Sequence, residues 1–143
     1  MSIRIKAIIA SSVAAGLILS STAFADTCPT DLKKDDDGYW YSDTKPGWKS
    51  HKTTPDGVTV SSSNFGGVVY SPSRNRMACV YKASDGKWVA LVSNVHHGIV
   101  IDKKATDDSG NGPAWQFSTK HKDYACGHPT VTNIQGCQFQ LSD

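Results

Sequence analysis

The sequence predicts a mainly β domain, a small antiparallel β-sandwich or barrel of about seven or eight short strands, held by two disulfides. Segment 76–93 contains two runs of β-branched, aromatic and small apolar residues around Asp85-Gly86, a pair typical of a β-hairpin turn. All 13 acidic residues are Asp, which favours turns and caps, and none is Glu, which favours helix interiors. The four cysteines suit a small, cross-linked domain.

The predicted hairpin is expected to lie at the centre of the sheet. Side chains alternate across a strand, so Met77, Cys79 and Tyr81 share one face. The opposite face carries Ala78 and Val80. Because both faces are largely apolar, we expect the hairpin to have neighbouring strands on both sides in the sheet.

The N-terminus has the pattern of a secretory signal peptide over residues 1–25. Arg4 and Lys6 form a short basic region, an apolar run follows, and small residues end at Ala25, after which cleavage is expected. The apolar run is shorter than the ~20 residues that span a bilayer, so the alternative of a membrane anchor fits poorly. The sequence predicts a periplasmic protein, with secretion as the alternative, and no stable membrane insertion after cleavage.

The mature chain is predicted to be one domain, residues 26–143, without net charge. The whole chain has 15 Lys and Arg against 13 Asp, and removal of Arg4 and Lys6 leaves 13 residues of each sign. A neutral domain lacks the long-range attraction that draws basic proteins to nucleic acid or anionic membranes. Nucleic acid is therefore not an expected partner.

Cys28, Cys79, Cys126 and Cys137 are expected to form two disulfides, because an even number of cysteines in a small exported domain is typical of oxidised pairs. Four cysteines allow three pairings. The sequence favours Cys126 with Cys137, which closes a short loop, and Cys28 with Cys79, which ties the N-terminus to the hairpin. Each bond is expected to contribute about 2–4 kcal/mol, chiefly by restricting the unfolded chain.

The first part of the mature chain is polar and then aromatic. Segment 26–37 is expected to be an extended arm held by Cys28, with room for one short helical turn. Segment 38–41 begins a strand, and 45–47 turns the chain before Trp48.

The middle of the chain leads into the hairpin. Segment 57–60 is a short predicted strand, and the polar run 61–64 is a loop or an irregular edge. Segment 65–70 contains Gly66-Gly67, which suggests a bulge or a close approach of two backbones. Segment 72–75 is expected to turn the chain into the first hairpin strand.

After the hairpin, 98–101 is an apolar strand and 102–112 a polar, glycine-containing surface loop. A strand is expected at 115–117, and the rest of the stretch up to residue 126 lacks a helical period. The last run, 137–141, alternates apolar and polar residues, and three side chains are expected to face inward: Cys137, Phe139 and Leu141.

Metal sites are not expected. Segment 107–112 resembles a calcium loop at its first positions, but position 12, which needs a bidentate Glu, is Ser118. His121, Cys126 and His128 form a possible zinc set, yet structural zinc needs four ligands, and a disulfide is the better fate for Cys126 in an oxidising compartment. The sequence predicts no metal and no cofactor.

No catalytic signature is found. There is no Gly-x-Ser-x-Gly elbow, the cysteines are expected to be paired, and no two Asp residues stand together in an apolar context. His96 and His97 open a predicted strand, where their side chains would point to opposite faces. The sequence therefore predicts a binding protein and not an enzyme.

Four clustered aromatic residues are the predicted partner-binding surface: Tyr39, Trp40, Tyr41 and Trp48. Neighbours on a strand face opposite ways, so Trp40 and its two tyrosine neighbours cannot all enter one core. Exposed Tyr and Trp are favoured at protein interfaces. The competing interpretation is that both tryptophans are core residues and the tyrosines lie at an edge.

Four short landmarks resemble the EirA-like family of small periplasmic domains, long catalogued as of unknown function. They are spread over most of the mature chain: Cys28-Pro29 with Leu32, Pro46-Gly47-Trp48, Met77 to Tyr81 leading into Gly86 to Leu91, and Cys137-Gln138-Phe139. The resemblance implies a non-enzymatic periplasmic protein associated with a type IV secretion system and needed for virulence or effector export. It implies no active-site residues.

The expected partner is accordingly a protein of the cell envelope, with the type IV secretion machinery as the candidate. Its contact surface is expected around Tyr39 to Tyr41 or along an exposed sheet edge. The alternative is a module that binds cell-envelope glycan, or an inhibitor of a wall-degrading enzyme.

Overall fold

The computed structural model describes residues 24–94 and 98–142. Almost all of the predicted signal peptide, and the predicted strand entry at His96 and His97, lie outside these residues. None of the helices described is long and apolar enough to cross a membrane. The described chain contains two single-turn 3₁₀ helices, Pro72–Arg74 and Ile134–Gly136, and ten strands: β1 (Leu32–Lys34), β2 (Trp40–Ser42), β3 (Trp48–Ser50), β4 (Val60–Ser71), β5 (Arg76–Ala83), β6 (Trp88–Ser93), β7 (Gly98–Ile101), β8 (Gln116–Ser118), β9 (Asp123–Gly127) and β10 (Phe139–Ser142).

Eight of these strands form one antiparallel sheet in the order β1-β2-β3-β6-β5-β4-β9-β8, and β7 pairs with β10 in a second, two-stranded sheet. The mainly β, antiparallel class predicted from the sequence is confirmed. The described residues contain ten strands, more than the predicted seven or eight, because β1, β3 and β9 form where no strand is predicted, while the predicted strands 57–60 and 65–70 correspond to the single strand β4.

The core hairpin β5–β6 lies in the middle of the large sheet, as predicted. Gly86 adopts a φ of 84°, which the turn between the strands requires and which glycine adopts without strain. Met77, Cys79 and Tyr81 are fully buried on one face. This face of the hairpin therefore forms one side of the hydrophobic core.

Strand β4 differs most from expectation. The predicted loop at 61–64 is part of this strand, while the predicted strand at 57–60 contributes only its last residue. The pairing register with β5 shifts between Val60 and Phe65 and again between Phe65 and Gly67. These polar residues are mostly exposed, so no apolar alternation marks the strand in the sequence.

The sequence predicts a bulge or a close backbone approach at Gly66-Gly67, and the structure has both. A register shift falls there, and Gly67 pairs with Gly127 across β4 and β9. A Cβ on Gly67 would lie 2.9 Å from the carbonyl oxygen of Cys126, and a Cβ on Gly127 would collide with the backbone of Gly66 and Gly67. The two strands can approach this closely only because side chains are absent.

The N-terminal arm, predicted to be extended, pairs with the large sheet. It contains strand β1, which pairs with β2, and the optional helical turn is absent from the described residues. Cys28 forms a disulfide with Cys79, and the Tyr81 hydroxyl donates a 2.6 Å hydrogen bond to the carbonyl oxygen of Pro29. The sheet curls so that β1 also contacts β4, which closes this end of the sheet over the core.

Asp31 fastens the arm to the chain that follows β2. Its carboxylate accepts a 2.7 Å hydrogen bond from Ser42 Oγ and a 2.6 Å hydrogen bond from the Thr44 N–H. Partial burial opposes ionisation, but these hydrogen bonds outweigh it and lower the pKa of Asp31 to about 2.

Asp31 is expected to make stability depend on acid pH. Because its pKa is lower folded than unfolded, its contribution is complete above about pH 4, the unfolded value, and is lost as pH falls towards 2. Denaturant unfolding of the parent chain and of Asp31→Ala should therefore differ at pH 7 and converge near pH 2. A difference that stays constant from pH 7 to pH 2 would contradict this role.

The second sheet covers the rest of the core. Phe139 of β10 is fully buried and packs against Trp48, with ring centroids 6.2 Å apart. Trp115 Nε1 donates a 3.3 Å hydrogen bond to the carbonyl oxygen of Gln138. Cys126 and Cys137 form the second disulfide, so both favoured pairings are confirmed.

Candidate functional site

The structure separates the four aromatic residues predicted to bind a partner. Trp40 is 6% exposed and Trp48 3% exposed, and Trp40 Nε1 donates a 2.8 Å hydrogen bond to Thr54 Oγ1. Both tryptophans are therefore too deeply buried in this fold to contact a partner. Tyr39 and Tyr41 are half-buried, and Lys49 Nζ lies 4.6 Å from the centroid of the Tyr39 ring. Contact of a partner with the two tyrosines stays a prediction.

The calcium-like loop uses its oxygens internally. Asp107 Oδ1 accepts hydrogen bonds from Ser109 Oγ at 2.6 Å and from the Ser109 N–H at 3.1 Å. These bonds, the side-chain bond first, hold the pKa of Asp107 below its usual value. In the described part of the chain, no group of three or more His, Cys or Asp side chains is arranged to hold a metal ion. The geometry of 107–112 is that of a self-bonded surface turn.

Three large apolar side chains are more than half exposed within the described residues, and none was predicted as a site: Trp88 (58%), Val100 (55%) and Phe117 (51%). They lie on β6, β7 and β8, so they mark three separate places. Exposed aromatic side chains at protein surfaces often anchor partners or ligands. Two of the three have neighbours that build a surface around them.

Trp88 stands beside a cleft of about 610 Å³ between the loop after β3 and the tip of the core hairpin. The loop is held against β6 by a 3.1 Å hydrogen bond from the His51 N–H to the carbonyl oxygen of Ala90. We call this space the Trp88 cleft. Besides Trp88 it is lined by four apolar residues, Pro55, Ala83, Val89 and Ala90, and by six polar or charged ones: His51, Lys52, Thr53, Thr54, Asp85 and Lys87.

A second depression, of about 380 Å³, lies on the other side of Trp88 over β4, β5 and β9. Its lining is almost entirely apolar and includes Gly66, Val80 and Ala125. A Cβ on Gly66 would collide with the Trp88 ring, so the ring lies directly over this glycine. Lys82, which pairs with Trp88 across β5 and β6, has its Nζ 5.6 Å from the ring centroid. Trp88 is therefore a supported wall between two depressions.

Among the residues that the structure describes, strand β8 is an open end of the large sheet, with a neighbouring strand on one side only. We call its three residues, Gln116–Ser118, the β8 edge. Phe117 packs on Tyr124 with ring centroids 4.9 Å apart, and Tyr124 stacks on Tyr70 at 6.1 Å. Lys103 Nζ lies 5.1 Å from the Tyr124 ring centroid. A row of aromatic rings thus crosses three strands and ends in an exposed phenylalanine.

The opposite end of the sheet is protected. Strand β1 carries two lysines: Lys33 forms an ion pair with Asp43 at 2.9 Å, and Lys34 Nζ donates a 2.7 Å hydrogen bond to the carbonyl oxygen of Pro55. Charged edge residues discourage pairing with another chain. The β8 edge itself has no charged residue. The β1 end of the sheet is therefore protected against pairing with another chain, whereas the β8 end is available for it.

Comparisons with protein-family models, with curated proteins and with solved structures returned no match. The resemblance to the EirA-like family therefore stays a prediction.

The alternation along β6 contained a signal for Trp88. Val89, Leu91 and Ser93 are buried, so Trp88 must face the other side of the sheet. Because both faces of the hairpin are apolar in sequence, the sequence did not show which face the rest of the chain covers. The exposure of Phe117 depends on β8 being the last strand of the sheet, which sequence order does not reveal.

Proposed function

We propose that this chain is an exported, non-enzymatic domain that binds a protein partner in the cell envelope by adding a strand of that partner to the β8 edge. The observation that carries the proposal is the contrast between the protected β1 end and the β8 end, where Phe117 is 51% exposed. An extended segment paired with an open edge gains main-chain hydrogen bonds, and adjacent side-chain contacts give specificity.

The aromatic row makes the edge a firm platform. Phe117 is held by Tyr124, which is held by Tyr70, so a partner need not order a loose side chain on binding. Rigid aromatic anchors of this kind dominate the energetics of many interfaces. Lys103, beside Tyr124, adds a positive charge at the rim.

Export is supported by two observations. Both disulfides are of the kind that form and persist in oxidising compartments. The sequence of residues 1–25 has the three regions of a signal peptide, which would deliver the domain to the periplasm. The resemblance to EirA-like domains adds the finer part of the proposal, an accessory role in a type IV secretion system needed for effector export or virulence.

Substitution of Phe117 tests the proposed surface. We expect Phe117→Ala to reduce recovery of the cross-linked partner about tenfold or more, the scale of one lost interface anchor. The matched control is Val100→Ala, which shortens another exposed apolar side chain on the second sheet. Recovery would be measured by quantitative mass spectrometry after cross-linking in the native envelope and capture of the tagged chain.

The proposal fails if a folded Phe117→Ala variant recovers the same proteins in the same amounts as the parent. Equal losses in both variants would also contradict it, because the effect would then not belong to the β8 edge. Enrichment of secretion-machinery subunits that depends on Phe117 would support the accessory role. Enrichment of wall-degrading enzymes would replace that role with inhibition.

A further inference from the structure

We infer that the Trp88 cleft binds an acidic saccharide, at a site separate from the β8 edge and independent of the protein-binding proposal. One aromatic ring, donors and acceptors on both walls, and an excess of positive charge meet in a single concave space. Its volume of about 610 Å³ falls within the range of small-ligand sites, roughly 300–1,000 Å³.

The ring supplies the platform. Trp88 is 58% exposed although it lies on a central strand, and the absence of a side chain at Gly66 lets the ring rest against the sheet. The C–H face of a pyranose ring is apolar and packs flat on an aromatic ring. A supported tryptophan that remains accessible suits this contact better than a freely rotating side chain.

Polar side chains on both walls of the Trp88 cleft can form hydrogen bonds with a sugar. His51, Lys52 and Thr53 lie along one wall, and Asp85 and Lys87 belong to the hairpin tip opposite. The Asp85 carboxylate is fixed by a 3.0 Å hydrogen bond from the Lys87 N–H, which orients it to accept from a sugar hydroxyl. Carbohydrates need donors and acceptors together, and this lining provides both.

The charge selects an acidic sugar. The cleft is lined by two lysine ammonium groups and one carboxylate. Outside the cleft lining, a third ammonium, that of Lys82, lies over the Trp88 ring at 5.6 Å from its centroid. The lining is therefore net positive although the predicted mature chain is neutral. A carboxylate or phosphate on a sugar ring would be attracted to Lys52 and Lys87 while the ring lies on Trp88.

Other occupants match the lining less well. A purely apolar ligand would leave the polar groups of the cleft without partners, at a cost in free energy. Single-stranded nucleic acid needs a series of aromatic rings along a basic groove, whereas the cleft offers one ring. An acidic peptide could use the two lysines but gains less from the flat ring, and it is the competing outcome of the test.

Calorimetric titration of the purified full-length mature domain tests the inference. The probes are tetragalacturonate, a chain of acidic sugar rings, chitotetraose, a neutral chain of the same length, and a hexamer of aspartate. We expect saturable binding of tetragalacturonate with a dissociation constant below about 1 mM, and binding of chitotetraose at least about tenfold weaker.

Three variants assign the binding to the cleft. Trp88→Ala and Lys87→Ala are each expected to weaken binding of tetragalacturonate about tenfold. Phe117→Ala, which removes an exposed ring elsewhere, should leave the titration unchanged. This outcome separates the inference from the protein-binding proposal, since Phe117→Ala affects only the latter.

Several results would overturn the inference. One is the absence of saturable binding of tetragalacturonate at millimolar concentration, and another is binding of tetragalacturonate that Trp88→Ala leaves unchanged. A third is binding of the aspartate hexamer as tight as that of the sugar. The last result would assign the cleft to acidic peptides.

Discussion

Replacement of both Cys28 and Cys79 by Ala is expected to lower the free energy of unfolding by about 4 kcal/mol, the loop-closure entropy for a separation of 51 residues. Small domains are stable by only about 5–15 kcal/mol, so this loss removes a large share of the total. The bond also fixes the arm that carries β1, and this arm closes one end of the core. Chemical denaturation monitored by tryptophan fluorescence measures the change.

The matched control is the double variant Cys126→Ala with Cys137→Ala. Its loop separation is 11 residues, and the same chain-entropy argument gives about 3 kcal/mol. All four cysteines are buried to within 2% exposure, so the packing lost with each sulfur is similar. If the short-loop variant lost as much stability as the long-loop variant, or more, restriction of the unfolded chain would not be the main effect.

Phe139→Ala is expected to cost about 3–5 kcal/mol, the range for removing a fully buried phenylalanine. Phe139 is on β10 and contacts Trp48 on β3, so it joins the two-stranded sheet to the large sheet. Its backbone also pairs with Asp26, with N–H to carbonyl distances of 3.0 Å in both directions. The loss should therefore loosen the arm as well as the second sheet.

Two controls bracket this result. Leu141→Ala, a half-buried neighbour on the same strand, should cost clearly less, and Val100→Ala on the exposed face of β7 should stay within about 0.5 kcal/mol of the parent. Urea unfolding of all three variants gives the comparison. Similar losses for Phe139→Ala and Val100→Ala would show that the second sheet does not help to hold the core.

Much of the fold followed from local patterns. The Asp85-Gly86 turn and the apolar runs on either side predicted the central hairpin, because a turn that needs positive φ and two strands of matching period support one another. The short loop between Cys126 and Cys137, and the tie that Cys28 makes from the N-terminus to the hairpin at Cys79, favoured the two pairings that the structure contains. The alternation at 137–141 correctly placed Cys137 and Phe139 in the core.

What the sequence did not predict depends on tertiary position. The serine-rich run 61–64 near the start of β4 lies in a register shift of the pairing with β5 and is mostly exposed, so no apolar alternation distinguishes it from a loop in the sequence. Trp40 and Trp48 look like a binding cluster until the second sheet and the loop after β3 are seen to cover them. Trp88 and Phe117 read as ordinary strand residues because their exposure depends on which strands end the sheet and which face is covered.

Site-specific photo-cross-linking in intact cell envelopes tests whether a protein partner contacts the β8 edge. A benzophenone amino acid would replace Phe117 in one strain and Val100, an equally exposed residue on β7, in another. We expect a discrete adduct with one envelope protein from position 117 and none from position 100. Adducts from position 100 alone, or no adduct from position 117, would contradict it.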